Sequence, residues 1–104
     1  MPTPKRAEVW LVDLGMVAKV RPSLVVSVPA LEQDRALVTL VPHTTSARGS
    51  RFEISVKVDF LRQGVFDTQN LITIPEAKLI RKLDTLKAEQ MIAVKDGLRA
   101  WLGL

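Results

Sequence analysis

The sequence predicts a mainly β protein of the α+β class, in which a small antiparallel β-barrel is followed by one carboxyl-terminal helix. Short runs rich in Val, Leu, Ile and Thr recur along the first three quarters of the chain, and proline or glycine interrupts them. The last part instead carries apolar residues at helical spacing. A chain of 104 residues is near the usual domain size, so we expect one domain spanning residues 1–104.

Five strands are expected before the helix. The predicted strands cover residues 8–14, 24–28, 37–41, 50–56 and 69–74. Gly15, Pro29 and Pro75 are expected to end three of them, because glycine and proline interrupt strand pairing. A run of short antiparallel strands with one terminal helix is typical of an SH3-like barrel.

One of these strands is expected to form a hairpin, and two further segments are less regular. Phe52, Ile54 and Val56 alternate with polar residues, which predicts a strand with one buried face that forms a hairpin with residues 37–41. Residues 59–64 are expected to be helical or turn-like and to end at glycine. Residues 78–83 fit either a last strand or a helical turn.

The carboxyl-terminal helix is predicted over residues 88–102. Met91, Val94, Leu98 and Trp101 recur at helical spacing and form one apolar stripe, which we expect to be buried against the barrel. Gly97 lies within this stretch and costs a helix about 1 kcal/mol relative to alanine.

Composition narrows the chemistry that this chain can carry. A net charge of +4 and a pI near 9.9 favour an anionic partner such as nucleic acid. The chain has no cysteine and one histidine, which excludes disulfides, thiol catalysis, sulfur-ligated zinc and a two-histidine mechanism within one chain. We expect no metal and no cofactor. Without an apolar membrane span or an apolar signal segment, a cytoplasmic protein is expected.

A hydroxyl-rich and basic loop follows the strand at residues 37–41. Thr44, Thr45 and Ser46 offer neutral donors, Arg48 and Arg51 offer charge, and Gly49 permits a positive φ. This combination favours a phosphate over an apolar ligand. The alternative is an ordinary solvated hairpin loop, since many loops are polar.

Four short motifs place this loop in a wider pattern. The sequence reads EVWLVDL at residues 8–14, RP at 21–22, VPHTTS at 41–46 and FEI at 52–54. In this order and at this spacing, the motifs resemble the MazF/PemK (Kid-like) toxin endoribonucleases of bacterial type II toxin-antitoxin systems. The resemblance covers nearly the whole chain. It implies an SH3-like barrel, a homodimer, a cognate antitoxin and metal-independent, sequence-selective cleavage of single-stranded mRNA through 2′-hydroxyl attack, which arrests translation and growth.

The resemblance also implies which residues act. Arg21 of the RP motif and Thr44 of VPHT match the family's catalytic pair. Arg21 would stabilise the charge of the phosphorane, and Thr44 would hydrogen-bond a non-bridging oxygen. The alternative is a surface ion-pair arginine and an ordinary hydroxyl at a strand end. The residues expected to bind RNA are Lys19, Thr45, Ser46, Arg48, Arg51 and Gln69.

Two further residues are weaker candidates for proton transfer. His43 titrates near neutral pH, but strand alternation directs it away from Thr44. The family often has an acidic residue directly before the glutamine of its fifth strand, where this chain has Thr68. Asp67 precedes that position by one residue, so we expect it to face away unless a bulge intervenes.

The link at residues 16–20 is shorter than the loop that overhangs the active site in the family. A second hypothesis is therefore a catalytically weakened or non-catalytic member that binds a protein, as CcdB-like toxins bind gyrase through a carboxyl-terminal helix. For the expected homodimer, apolar side chains at Trp10, Val12, Val17 and Val20 offer a contact surface. The cleavage motif and the antitoxin's identity do not follow from the sequence.

Overall fold

The computed structural model describes residues 3–15 and 19–104, and within these ranges the chain forms a mainly antiparallel β structure with one helix. The strands are β1 Glu8–Asp13, β2 Val20–Val25, β3 Leu37–Thr44, β4 Glu53–Ile54, β5 Val65–Asp67, β6 Ile72–Pro75 and β7 Leu79–Thr85, and the helix is α1 Ala88–Leu102. Two 3₁₀ turns cover Thr68–Asn70 and Glu76–Lys78. The predicted fold class is confirmed.

The strands pair in the order β4-β5-β3-β2-β1-β7, and every pairing is antiparallel. β6 lies beside the first half of β3, whereas β5 pairs with the last two residues of β3. The path of pairings therefore runs from β4 to β7 without closing into a ring among the described strands. β3 is the longest strand and contacts three others, which makes it the centre of the sheet.

The two faces of β1, β2 and β3 are covered by separate apolar cores. The first core consists of Val9, Leu24, Val41, Phe66, Leu86, Met91 and Val94, and the second core consists of Trp10, Val12, Val25, Val38, Leu40 and Leu79. Residues paired directly across antiparallel strands share a face, and neighbours along a strand lie on opposite faces. Apolar residues on both faces explain why alternation in β1 is imperfect.

Helix α1 has the predicted limits and packs on the first core through Met91 and Val94. Gly97 is buried in this contact: a Cβ there would lie 2.7 Å from Ile54 Cδ1. Glycine lowers the helix propensity at this position, but its lack of a side chain allows the helix to approach β4 closely. The prediction of a core position for Trp101 was wrong, since its side chain is 41% exposed and contacts Phe52 edge-on at 5.2 Å.

The predicted hairpin between residues 37–41 and 50–56 was wrong. β4 is only two residues long and pairs with β5, which lies between it and β3. Gly64 allows this arrangement, because a Cβ at that position would lie 2.2 Å from the carbonyl oxygen of Thr44. Instead of a hairpin between neighbouring segments, β5 from later in the chain pairs with both β3 and β4.

Other predicted boundaries also moved. β2 begins at Val20 rather than at residue 24, which places Arg21 within the strand. Residues 59–64 form turns and bends, and Gln69 lies in a 3₁₀ turn before β6. The ambiguous segment at 78–83 is mostly the strand β7.

The apolar surface predicted for a dimer is not available as expected. Trp10 and Val12 belong to the second core, where Trp10 is 5% exposed and Val12 is fully buried. Val17, like most of the predicted link at 16–20, lies outside the described residues. Val20 is half exposed and remains available for such a contact.

None of the helices in the described ranges is long and apolar enough to cross a bilayer.

Candidate active site

The register of the central strands brings Arg21 and Thr44 together. Trp10, Ser23 and Pro42 lie opposite one another across β1, β2 and β3. Two residues further, Arg21 on β2 and Thr44 on β3 continue the same row at the open end of the second core. Arg21 Nη1 donates a hydrogen bond to Thr44 Oγ1 at 3.4 Å. Residues separated by more than twenty positions in the chain thus form one pair.

This pair lies in an open cleft of about 450 Å³, called here the first cleft. Its lining residues are Leu14, Arg21, Pro42, Thr44, Ser46, Arg48, Glu53, Asp67, Asn70 and Ile72. The apolar members continue the second core. The polar members come from β2, β4, the ends of β3 and β5, the loop after β3 and the 3₁₀ turn at Thr68–Asn70. The two arginines and two carboxylates carry opposite formal charges that cancel.

Glu53 organises the loop that follows β3. The backbone N–H of Arg48 donates to both carboxylate oxygens of Glu53, at 3.0 and 2.9 Å, and the N–H of Ser50 donates to Oε1 at 2.8 Å. These hydrogen bonds, first from Arg48 and then from Ser50, lower the pKa of Glu53. The carboxylate is therefore ionised at neutral pH and holds the loop against the cleft.

Thr44 receives a second hydrogen bond from the same loop. The N–H of Ser46 donates to Thr44 Oγ1 at 3.1 Å, in addition to the bond from Arg21. A hydroxyl has two acceptor positions and one proton. With both acceptor positions occupied, the proton of Thr44 is available to an oxygen that enters the cleft.

Asp67 lies in the first cleft, although the sequence predicted that it faces away. It is the last residue of β5 and pairs with Glu53 of β4, so the two carboxylates share one face of this strand pair. Asn70 Nδ2 donates to Asp67 Oδ2 at 2.5 Å. Thr68, at the position that is often acidic in the resembling family, is fully buried and donates to the carbonyl of Phe52 at 2.6 Å.

His43 lies on the other face of β3, as strand alternation predicted. Its ring packs edge-on against Phe66 with centroids 5.0 Å apart, and it is 4% exposed. This burial lowers the pKa of His43, so the ring is neutral at physiological pH. His43 borders a second cleft of about 470 Å³ on that face.

The other predicted RNA-binding residues divide between several places. Ser46 and Arg48 line the first cleft, whereas Lys19 and Thr45 line the second cleft. The guanidinium of Arg51 lies over the ring of Phe52, 4.4 Å from its centroid. Gln69 is exposed in the 3₁₀ turn and lines neither cleft.

Sequence reasoning missed Glu53 and Asn70. Glu53 belongs to the FEI motif, but its alternation with Phe52 and Ile54 indicated only a solvent-facing strand position. Its role depends on N–H groups of a loop whose shape the sequence does not specify. In the described ranges no three His, Asp or Glu side chains lie close enough together to hold a metal ion.

Comparison with known proteins gives this geometry a context. Residues 5–102 match the family model of the PemK-like, MazF-like toxins of type II toxin-antitoxin systems. The chain belongs to this family. The resemblance read from the motifs is therefore confirmed over nearly the whole sequence.

Solved structures of similar proteins agree with the family. An endoribonuclease from a Mycobacterial species, solved in complex with its cognate antitoxin, is 27% identical with a TM-score of 0.83, over 97% of this chain and 96% of that one. The Mycobacterium tuberculosis toxin MazF-mt6 is 29% identical with a TM-score of 0.79, over 93% of this chain and 97% of that one. MazF in the MazE-MazF complex of Deinococcus radiodurans has the same fold at 21% identity, with a TM-score of 0.82 over 100% of this chain and 99% of that one.

Proposed function

We propose that this toxin is an endoribonuclease that cleaves single-stranded mRNA at selected sequences and thereby arrests translation and growth. The observation that carries the proposal is the Arg21–Thr44 pair in the first cleft, where a guanidinium and a hydroxyl converge. The similarity to proteins described as endoribonucleases supports the same reaction class. The guanidinium of Arg21 and the hydroxyl of Thr44 suit the stabilisation of a phosphate rather than of a neutral substrate.

The reaction is an internal transfer within RNA. The 2′-oxygen of one nucleotide forms a bond to the adjacent phosphorus, and the bond from phosphorus to the 5′-oxygen breaks. The proton of the 2′-hydroxyl goes to a base, and the departing 5′-oxygen takes up a proton from solvent in this open cleft. The products are a 2′,3′-cyclic phosphate and a 5′-hydroxyl, and no further reactant is consumed.

Arg21 and Thr44 would stabilise the pentacoordinate intermediate. The planar guanidinium of Arg21 provides paired donors to phosphoryl oxygens. Thr44 would donate its available proton to a non-bridging oxygen. Because β2 and β3 hold both side chains before RNA binds, little reorganisation is required as negative charge develops.

Asp67 is the best-placed general base among the carboxylates of the first cleft. Both oxygens of Glu53 already accept backbone N–H groups, whereas the hydrogen bond from Asn70 reaches one oxygen of Asp67. The bond from Asn70 would orient the Asp67 carboxylate and direct its other oxygen toward the substrate. We prefer Asp67 to His43 for this role, since β3 places His43 on the opposite face from Thr44 and outside the first cleft.

The residues around the pair would bind the RNA on either side of the cleaved bond. Ser46 and Arg48 lie in the first cleft, Lys19 and Thr45 in the second, and Gln69 offers an amide donor and acceptor for a base edge. Base edges are accessible in single strands, which favours a single-stranded substrate.

The partners proposed for the toxin are a cognate antitoxin and a second copy of the chain, in the cytoplasm. The Mycobacterial relative is itself described in complex with its antitoxin. A homodimer would extend one short cleft into a groove for several nucleotides. Its contact surface would have to use exposed apolar residues such as Val20 rather than the buried Trp10 and Val12.

One observation favours the alternative function, a CcdB-like toxin that poisons gyrase. Trp101 near the end of α1 is 41% exposed, and Leu102 beside it is 49% exposed. Exposed aromatic side chains are frequent anchors of protein interfaces. A gyrase supercoiling assay with purified toxin, compared with its Trp101→Ala variant, tests this alternative.

The decisive experiment incubates the purified toxin with a long RNA in EDTA. We expect discrete fragments that end in a 2′,3′-cyclic phosphate, and no fragments with Arg21→Ala. Arg35→Ala is the matched control, because Arg35 is exposed in the loop before β3 and lines neither cleft. Intact RNA with the wild-type toxin, together with stalled gyrase, would refute the nuclease proposal and support the alternative.

A further inference from the structure

The second cleft differs in charge from the first cleft. It is lined by the cations Lys19, Arg21, Arg62 and Arg81, and no Asp or Glu lines it among the described residues. The formal charge of its lining is therefore +4, since His43 is neutral. In the first cleft, Arg21 and Arg48 are balanced by Glu53 and Asp67, which gives a formal charge of zero. A polyanion is thus attracted more strongly to the second cleft.

Its floor is apolar as well as basic. Phe60 and Leu61 line the cleft and pack against the first core, and Leu83 of β7 lies beside them. A nucleotide has a charged phosphate and a base with an apolar face, so it matches both parts of this surface. Phe60 is the only aromatic residue besides His43 that lines the second cleft in the part of the chain that the structure describes.

Arg21 connects the two clefts. It lines both of them, because it lies near the end of β2 where the faces of the sheet meet solvent. The proposed reaction places the scissile phosphate on this guanidinium. A strand held there therefore has the second cleft beside the same guanidinium.

We propose that the second cleft binds the RNA strand on one side of the scissile phosphate, with Arg62 and Arg81 contacting phosphates and Phe60 contacting a base. This inference rests on the proposed nuclease function. An acidic peptide also fits a basic cleft with an apolar floor, but the proposed position of the scissile phosphate on Arg21 favours a nucleic acid strand. The second cleft then supplies affinity for RNA, and the first cleft supplies the chemistry.

The test uses a mixed-sequence single-stranded oligodeoxynucleotide, which lacks the attacking 2′-hydroxyl and stays intact. Its affinity is measured by fluorescence anisotropy over a range of salt concentrations for wild type and for the double variant Arg62→Gln/Arg81→Gln. Each phosphate contact on a single strand contributes about 0.7 to the slope of log K against log salt. We therefore expect weaker binding and a slope reduced by about 1.4.

The matched control is the double variant Arg35→Gln/Arg99→Gln, which removes the same charge from exposed positions that line neither cleft. It should retain a wild-type slope, since two distant charges make no phosphate contact. Circular dichroism establishes that each variant is folded. If the double variant does not fold, Arg62→Gln and Arg81→Gln alone should each reduce the slope by about 0.7.

Two results would overturn the inference. Binding by Arg62→Gln/Arg81→Gln that equals binding by the control shows that the second cleft does not hold nucleic acid. Unchanged oligonucleotide binding with lost binding of an acidic peptide of alternating glutamate and leucine assigns the cleft to a protein partner instead.

Cleavage kinetics separate this inference from the proposed function. If the wild-type toxin cleaves RNA and the double variant has an unchanged KM, the nuclease stands and the second cleft is not a binding site. If the wild-type toxin binds through Arg62 and Arg81 but never cleaves, the second cleft stands and the nuclease proposal fails. A raised KM with an unchanged kcat supports both.

Discussion

Arg21 on β2 donates a hydrogen bond to Thr44 on β3, at 3.4 Å between Nη1 and Oγ1. The distance is near the upper limit for a hydrogen bond, so this contact is weak without substrate. A phosphoryl oxygen placed between the two groups would receive a donor from each of them. The two side chains are thus better placed to bind an anion than to bind each other. Kinetic predictions follow for the replacement of each one.

Replacement of Arg21 should remove the main positive charge that stabilises the negatively charged phosphorane. We expect Arg21→Ala to lower kcat by about 100-fold or more, since the loss of one preorganised donor typically costs about 2.7–4 kcal/mol in the transition state. Arg21→Lys should recover little activity, because an ammonium lacks the planar fork. Single-turnover cleavage of a defined RNA measures both. A rate above a tenth of wild type in Arg21→Ala, which is a loss of only about 1.4 kcal/mol, would remove Arg21 from the catalytic pair.

Replacement of Thr44 tests the hydroxyl separately from the side-chain shape. Thr44→Val keeps the β-branched shape and removes the proton donor and both acceptor positions, so we expect a large fall in kcat. Thr44→Ser keeps the hydroxyl and should retain much of the activity. The comparison is made at equal thermal stability, checked by circular dichroism. Similar rates for the Ser and Val variants would show that the hydroxyl makes no contact with the phosphate.

The two carboxylates of the first cleft should behave differently. Asp67→Asn removes the proposed base, so we expect a strong loss of kcat. Glu53→Gln retains one acceptor oxygen for the loop N–H groups, so KM should change more than kcat. Equal effects of the two variants on kcat and on KM would indicate that Asp67, like Glu53, only supports the cleft.

The central strands could be predicted from local apolar patterns, and the resemblance to the toxin family singled out Arg21 and Thr44 as the proposed catalytic pair. The apolar runs of β1 and β3 are long enough to identify, and Pro22 and Pro42 mark the positions of Arg21 and Thr44. Strand alternation alone placed His43 on the opposite face from Thr44. The register of β2 against β3 then brought Arg21 and Thr44 into contact.

The surroundings of the pair were not accessible, because they depend on contacts between distant segments. β4 pairs with β5 rather than with β3, and the close approach of Gly64 to Thr44 permits this pairing. That exchange of partners also carries Asp67 into the first cleft beside Glu53. The alternation of residues along one strand does not show with which other strand it pairs.

The single histidine predicts a specific dependence of stability on pH. Burial lowers the pKa of His43 below its usual 6.5, so the unfolded chain binds this proton more tightly than the folded one. The stabilising contribution is complete above about pH 6.5, and it is lost as the pH falls below that value toward the folded pKa. The pKa values of Glu8 and Glu53 are lowered from 4.5, so both titrate at lower pH.

His43→Gln should therefore show a flatter stability profile than wild type as the pH falls below 6.5. Urea unfolding at several pH values measures the profile, and the one imidazole signal in an NMR titration reports the folded pKa directly. His43→Leu is a second variant without a titrating group and should show the same flattening. An imidazole that titrates at or above pH 6.5 in the folded protein would contradict the predicted sign.

Gly64 and Gly97 should respond differently to the addition of a methyl group. In Gly64→Ala the new Cβ would lie 2.2 Å from the backbone oxygen of Thr44, and backbone cannot move away as a flexible side chain can. In Gly97→Ala the nearest atoms belong to the side chain of Ile54, and alanine gains about 1 kcal/mol in helix propensity. Overpacking typically costs about 1–3 kcal/mol, so Gly64→Ala should be clearly destabilised and Gly97→Ala much less.

Activity should follow the same order, since the clash at Gly64 displaces the strand that carries Thr44. Gly64→Ala should lose kcat even below its melting temperature, whereas Gly97→Ala should cleave RNA at close to the wild-type rate. Thermal melts and initial cleavage rates at a temperature where both variants are folded provide the measurement. If Gly64→Ala melts at the wild-type temperature with full activity, β5 does not approach Thr44 as closely as the structure shows, and the position of Asp67 in the first cleft loses its support.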